Sequence, residues 1–216
     1  RSTPDVVLTV ATGASGNLVA QISHGAPFDL FLSADLEYPL ALIKAGQAAP
    51  ASLVTFAVGR LVLWTTRHDV NISTLAALAA DPAVRRIAIA QTETAPYGRA
   101  ARQALEAEGL WTAIQPRLVT GENITQTAQF VETGNADAGL VALSLVMSPR
   151  LQTQGRWAEI PASLFAPLAQ GAVITTKGTA NPDAARYLAF LQSPEARKIL
   201  ERFGYSVPPS RSPDGR

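Results

Sequence analysis

Thr-Gly-Ala-Ser-Gly-Asn, at residues 12–17, is the stretch that decides the fold. It follows residues 6–10, a continuous run of mostly β-branched apolar residues that predicts a buried strand. Apolar residues at helical spacing come after it, and Gly25 is placed to end that helix. A helix leaves its first amides unpaired at the positive end of its dipole, so this strand–turn–helix unit predicts an anion site. An ordinary connection, in which Ser15 or Asn17 caps the helix, is the alternative.

Two further junctions have the same character. Thr-Ala-Pro-Tyr-Gly at residues 94–98 and Gly-Glu-Asn-Ile at residues 121–124 each follow a strand-like segment and open a predicted helix. Pro96 belongs in a first helical turn, where its missing N–H is tolerated. In open α/β sheets, ligands collect at the carboxyl ends of the strands. We therefore expect three helix N-termini to converge on one cleft and to form an oxyanion site built of backbone dipoles.

The order of strand-like and helical segments predicts an α/β fold with parallel sheets. Two long strand-like segments, residues 53–66 with Gly59 in the middle and residues 171–176, are predicted to cross between two lobes. We expect a hinge at these crossings, near residues 58–61 and 171–174. The predicted organisation is lobe one at residues 1–58 and 172–207, lobe two at residues 59–171, and a Pro- and Ser-rich flexible tail at residues 208–216.

Composition narrows the classes of partner. The chain has 216 residues, of which 47% are apolar and 16% charged, enough for one large domain or two lobes with cores of their own. A net charge of +1 without a dense Lys/Arg run argues against nucleic acid as a partner. The absence of Cys excludes disulfides, thiol nucleophiles and Cys-based zinc sites. The longest uncharged stretches are broken by Gly, Pro and polar residues, so none of them predicts a membrane span.

Motifs for catalysis are weak, so we do not predict an enzyme. The two histidines, His24 and His68, fall where surface positions are expected, and no His-x-x-x-His or paired-carboxylate motif occurs. The glycines around Ser15 lack the Lys of a P-loop and the spacing of a dinucleotide fingerprint. Tyr97 as a general acid is an alternative to a packing aromatic. An esterase is the enzyme class that we keep as a minor alternative.

Several segments carry a family resemblance. Residues 21–35 (Gln-Ile-Ser-His-Gly-Ala-Pro-Phe-Asp-Leu-Phe-Leu-Ser-Ala-Asp), residues 95–98 (Ala-Pro-Tyr-Gly) and residues 134–143 (Gly-Asn-Ala-Asp-Ala-Gly-Leu-Val-Ala-Leu) are similar to segments of the periplasmic molybdate-binding proteins of ABC importers. The C-terminal part, residues 190–205, also resembles this family. Similarity extends from about Val6 to Val207.

The resemblance implies a fold and a site. The fold is the two-lobe periplasmic binding protein type II fold, with two crossing strands and a tetrahedral oxyanion held between the lobes. By resemblance, Ser15 supplies a hydroxyl and an N–H from one lobe, and Tyr97 and Ile124 each supply a backbone N–H from the other. Their supporting neighbours are Ala14, Gly16, Pro96 and Asn123. Molybdenum is then bound only through its oxygens, with no direct protein–metal ligand and no cofactor.

The implied function is binding of molybdate or tungstate and delivery to the membrane permease of an ABC transporter. The implied location is periplasmic, or extracellular with a membrane anchor. Binding of another tetrahedral oxyanion, such as sulfate or thiosulfate, is one alternative. The effector-sensing domain of a transcription regulator is another.

Two departures from the family bear on affinity. Ala142 stands where many members have a tyrosine whose hydroxyl reaches the anion. The family's first strand, loop and helix precede the segment that begins here at Val6, and that unit is missing from the given sequence. Either the given sequence is truncated or lobe one is incomplete, and we expect an incomplete lobe one to bind the anion weakly and to expose apolar surface.

Overall fold

The computed structural model describes residues 6–207, and within this range it is a mixed α/β protein. Its strands are β1 (Leu30–Ser33), β2 (Val54–Gly59), β3 (Leu61–Thr65), β4 (Ile87–Ala90), β5 (Leu118–Gly121), β6 (Ala138–Ala142), β7 (Arg156–Glu159) and β8 (Leu168–Ile174). Its α-helices are α1 (Ser15–Ser23), α2 (Glu37–Lys44), α3 (Leu75–Ala80), α4 (Pro96–Ala107), α5 (Trp111–Ile114), α6 (Ile124–Glu132), α7 (Leu143–Val146), α8 (Pro182–Leu191) and α9 (Pro194–Arg202). Of these described helices, none is both long and apolar enough to cross a membrane. The predicted tail at residues 208–216 lies outside the described residues.

The strands form two sheets. A three-stranded sheet has the order β1-β8-β2, and a five-stranded sheet has the order β5-β4-β6-β3-β7. We call the first sheet with α1, α2 and α8 the small-sheet side, and β3 to β7 with α3 to α7 the large-sheet side. Only β5-β4-β6 pair in parallel, whereas the pairs involving β8 or β3 are antiparallel. The prediction of parallel sheets is thus wrong for the strand pairs other than β4–β5 and β4–β6, because β3 and β8 are antiparallel to their neighbours.

Helices cover both faces of each sheet. On the small sheet, α1 and α2 pack on the face of Phe31 and Val173, and α8 packs on the face of Ala172. The large sheet separates two larger apolar clusters, one that includes residues of α4 and one that includes residues of α6 and α7. The strands β3, β4 and β6 are therefore buried along their whole length.

The chain crosses between the sheets twice. The first crossing is at Arg60, between β2 and β3, as the central Gly59 predicted. The predicted second crossing near residues 171–174 is wrong: all of β8 belongs to the small sheet, so the chain crosses between Glu159 and Leu168. The sequence signal misplaced it because a strand within one sheet and a crossing strand have the same apolar pattern. The lobe boundaries at residues 58 and 172 stay a prediction.

Residues 6–10 do not form the predicted strand. They have no regular secondary structure and pair with no strand among residues 6–207, and the side chains of Val7, Leu8 and Val10 are 92%, 61% and 67% exposed. Apolar, β-branched residues favour a strand only where a neighbouring strand can pair with them, and β1 pairs with β8 alone. Residues 6–10 therefore leave apolar side chains exposed next to α1.

Candidate functional site

The N-terminus of α1 presents Ser15. Ala14 is the N-cap and supplies no side-chain hydrogen bond, so the alternative in which Ser15 or Asn17 caps the helix is wrong. Ser15 is 6% exposed, and its Oγ accepts a hydrogen bond of 3.2 Å from the amide of Ala34. Because that bond uses a lone pair, the hydroxyl proton remains free to donate. The Ser15 amide has no hydrogen-bond partner among residues 6–207.

The N-terminus of α4 presents the amide of Tyr97. Pro96 occupies the first position, so Tyr97 N–H is the first available donor, and no acceptor among the described residues takes it. Gly98 lets the helix approach the end of β4 closely, since a Cβ there would lie 2.4 Å from the carbonyl oxygens of Ala90 and Gln91. The start of α4 is thus seated on the large sheet.

The N-terminus of α6 presents the amide of Ile124. The N-cap is Asn123, whose Oδ1 accepts from the amides of Thr125 and Gln126 at 3.0 Å each. This cap satisfies the second and third amides of the helix and leaves the first, Ile124 N–H, without a partner in the part of the chain that the structure describes. Asn123 therefore supports the site by fixing the helix start.

These three helix starts meet. Ala14 before α1, Ala95 before α4 and Ala90 at the end of β4 form one buried cluster, and Ile124 packs against it. A direct bond closes the junction, because Gly16 N–H donates to the carbonyl oxygen of Thr94 at 2.9 Å. The Gly16 amide is consequently engaged in joining the two sides. Of the residues singled out from the sequence, Ala14, Gly16 and Ile124 thus lie at this junction, and Ser15, Pro96, Tyr97 and Asn123 are next in the chain to residues that form it.

The charge of the site suits an anion. None of the three helices has an acidic residue in its first turn.

The Tyr97 ring points away from the helix start toward the crossing strands, where a Cβ on Gly59 would lie 2.1 Å from its Oη. Burial, and to a lesser degree Tyr205, raises the pKa of the Tyr97 hydroxyl, so the ring stays neutral. Ala142 is buried and brings no hydroxyl of its own.

Sequence reasoning missed a polar cluster beside these helix starts. Arg99 of α4 contacts Asp35, Glu37 and Tyr38 of the small-sheet side. Asp35 was visible as the last residue of a quoted motif, but its partner lies 64 positions away in the chain. Neither periodicity nor turn chemistry carries information about such a pairing.

Comparison with known proteins places the chain in a family. Residues 1–206 match the family described as bacterial extracellular solute-binding protein. Molybdate-binding protein ModA of Azotobacter vinelandii is 40% identical over 195 residues, covering 90% of this chain and 77% of the relative. ModA of Rhodobacter capsulatus is 39% identical over 198 residues, covering 92% and 77%.

Solved structures agree with this. The periplasmic molybdate-binding protein of Azotobacter vinelandii superimposes with a TM-score of 0.88 at 32% identity, covering 95% of this chain and 90% of that one. The mycobacterial sulfate-binding protein SubI has a TM-score of 0.70 at 13% identity, which shows a shared fold alone. The chain has the type II periplasmic binding protein fold and belongs to the family of bacterial extracellular solute-binding proteins.

Proposed function

We propose that this chain binds molybdate, or tungstate, between its small-sheet and large-sheet sides and delivers it to the permease of an ABC transporter. The names of its relatives support this ligand, and membership of an extracellular family supports a periplasmic or membrane-anchored location. No catalytic step and no cofactor form part of the proposal.

The observation that carries the proposal is the set of unpaired donors at the three converging helix starts. The amides of Ser15, Tyr97 and Ile124 and the Ser15 hydroxyl are hydrogen-bond donors without described acceptors, and their loops contain no Lys or Arg. Molybdate at neutral pH is a dianion whose four oxygens only accept hydrogen bonds. Phosphate, which still carries a proton, would also need an acceptor. A set of uncharged N–H and O–H donors therefore favours a fully deprotonated tetrahedral ion.

The strength of such a site is adequate. A hydrogen bond to a charged group contributes about 1.5–3 kcal/mol, so four donors support roughly micromolar binding after ordering costs. Sulfate carries the same charge on a smaller ion. We therefore expect the size of the space between the two sides to determine which of the two ions binds more tightly.

Removal of the Ser15 hydroxyl is the direct test. We expect Ser15→Ala to weaken molybdate binding about tenfold, because one charge-assisted donor is lost. Isothermal calorimetry with molybdate, tungstate, sulfate and phosphate measures this change together with the ligand preference. Ser23→Ala is the matched control, since Ser23 lies at the far end of the same helix and bonds to Gln47. Equal affinities for Ser15→Ala and the unmodified chain would remove Ser15 from the site, and a preference for sulfate would replace the proposed ligand.

A further inference from the structure

A charged cluster joins the two sides at the rim of the candidate site. Arg99 Nη2 forms an ion pair with Asp35 and lies 3.2 Å from Glu37 Oε2. Arg99 Nη1 donates to the Tyr38 hydroxyl at 3.1 Å, and the guanidinium lies 5.1 Å from the centre of the Tyr38 ring. Tyr38 in turn donates from its hydroxyl to the carbonyl oxygen of Glu93 at 3.2 Å. Residues 35–38 of the small-sheet side are thereby tied to residues 93–99 of the large-sheet side.

The Arg99–Asp35 pair in this cluster is partly buried, and further hydrogen bonds hold Asp35 in position. The side chains of Arg99 and Asp35 are only 29% and 13% exposed, so solvent screens their pairing less than that of a surface ion pair. Asp35 is also held in place from its own side, because its Oδ1 accepts from Ser33 Oγ at 3.0 Å and from Tyr38 N–H at 3.2 Å. A carboxylate fixed in this way loses little further freedom when Arg99 binds it.

None of these charged groups is among the proposed anion donors, but the cluster is close to them. Arg99 follows the proposed donor residue Tyr97 by two positions on α4, and a Cβ on Gly16 at the start of α1 would lie 2.6 Å from the Tyr38 hydroxyl oxygen. Because these contacts join the two sides, a movement that separates the sides would break them.

We propose that Arg99, together with Asp35 and Tyr38, is a clasp that sets ligand affinity by stabilising the closed arrangement of the two sides, without touching the ligand. This inference rests on the proposed function only for the identity of the ligand. When only the closed form binds tightly, the apparent dissociation constant rises in proportion as the closed fraction falls. The clasp therefore supplies a charge attraction between the two sides, which the uncharged donors of the site do not provide.

Binding measurements test one half of the proposal. We expect Arg99→Met, which keeps the apolar stem, to weaken molybdate binding about tenfold, chiefly through faster dissociation. Arg99→Lys should recover part of the loss, and the difference between Arg99→Met and the unmodified chain should shrink at high salt. The matched control is Arg102→Met on the same helix, because Arg102 pairs with Glu106 within the large-sheet side. Equal effects of Arg99→Met and Arg102→Met would overturn the clasp.

A ligand-free measurement tests the other half. Because the 216 residues contain no Cys, Lys44→Cys on α2 and Glu108→Cys after α4 place spin labels at these two positions alone. Without ligand, Arg99→Met and the milder Asp35→Asn should both shift the label distances toward longer values. Unchanged distances in both variants would refute the clasp. A shift in a protein that binds no molybdate would uphold the clasp and refute the proposed ligand instead.

Discussion

The helix starts that form the candidate site are held in place by different kinds of contact on the two sides. On the large-sheet side, α4 and α6 follow β4 and β5, which pair with each other in parallel, and β4 is buried throughout. On the small-sheet side, α1 follows residues 6–14, which form no strand. Its start is located instead by two long-range bonds, from Ala34 N–H to Ser15 Oγ and from Gly16 N–H to Thr94.

This difference indicates which hydrogen-bond donors are in position before a ligand binds and which depend on contacts between the two sides. Donors held by a strand ladder are already in place before a ligand arrives, whereas the α1 donors depend on contacts that include the opposite side. Disturbing the large-sheet side should therefore cost both folding stability and affinity. Disturbing α1 should cost affinity while leaving thermal stability nearly unchanged.

The largest expected effect is on the large-sheet side, at Gly98. Gly98→Ala places a Cβ 2.4 Å from two backbone carbonyl oxygens, so α4 must move off β4. We expect a loss of about 3 kcal/mol, or roughly 6–12 °C in melting temperature, and a loss of binding. Gly13→Ala is the control on the α1 side, since its Cβ would make an ordinary 3.6 Å contact with Leu18. Calorimetric melting of both variants measures the contrast, and equal melting temperatures would abolish it.

A smaller effect is expected at the cap of α6. Asn123→Ala removes the acceptor of two amide hydrogen bonds, which should cost about 1 kcal/mol of stability and weaken molybdate binding because the helix start frays. Asn123→Ser retains a capping oxygen and should recover most of both losses. Denaturant unfolding and calorimetry measure the two quantities. If Asn123→Ala changes neither, the start of α6 does not need its cap to stay in place.

The smallest effect is expected at Tyr97. Its Oη is buried and has no hydrogen-bond partner among residues 6–207, and the proposed donor is its amide. Tyr97→Phe should therefore leave molybdate affinity within about twofold and stability unchanged or slightly higher. Titration calorimetry and thermal melting check this. A large loss of affinity would mean that the ring hydroxyl, rather than the backbone, serves the ligand.

Local features were predicted well. The helix predicted to open at residues 121–124 begins at Ile124, and the crossing predicted at Gly59 lies between β2 and β3. Gly25 lies just after α1 with the positive φ of a helix end. Each of these depends on side-chain spacing or on the backbone freedom of one glycine, which neighbouring residues suffice to express.

By itself the sequence determined where the three helices begin and that their first amides are left without partners, because turn chemistry and periodicity are local. Only the tertiary structure decided that residues 6–10 stay unpaired, that β8 lies wholly in the small sheet, and that Arg99 meets Asp35. A strand exists only with a neighbour to bond, and an ion pair only where two distant segments are packed together. Both are properties of the assembled chain rather than of any stretch of it.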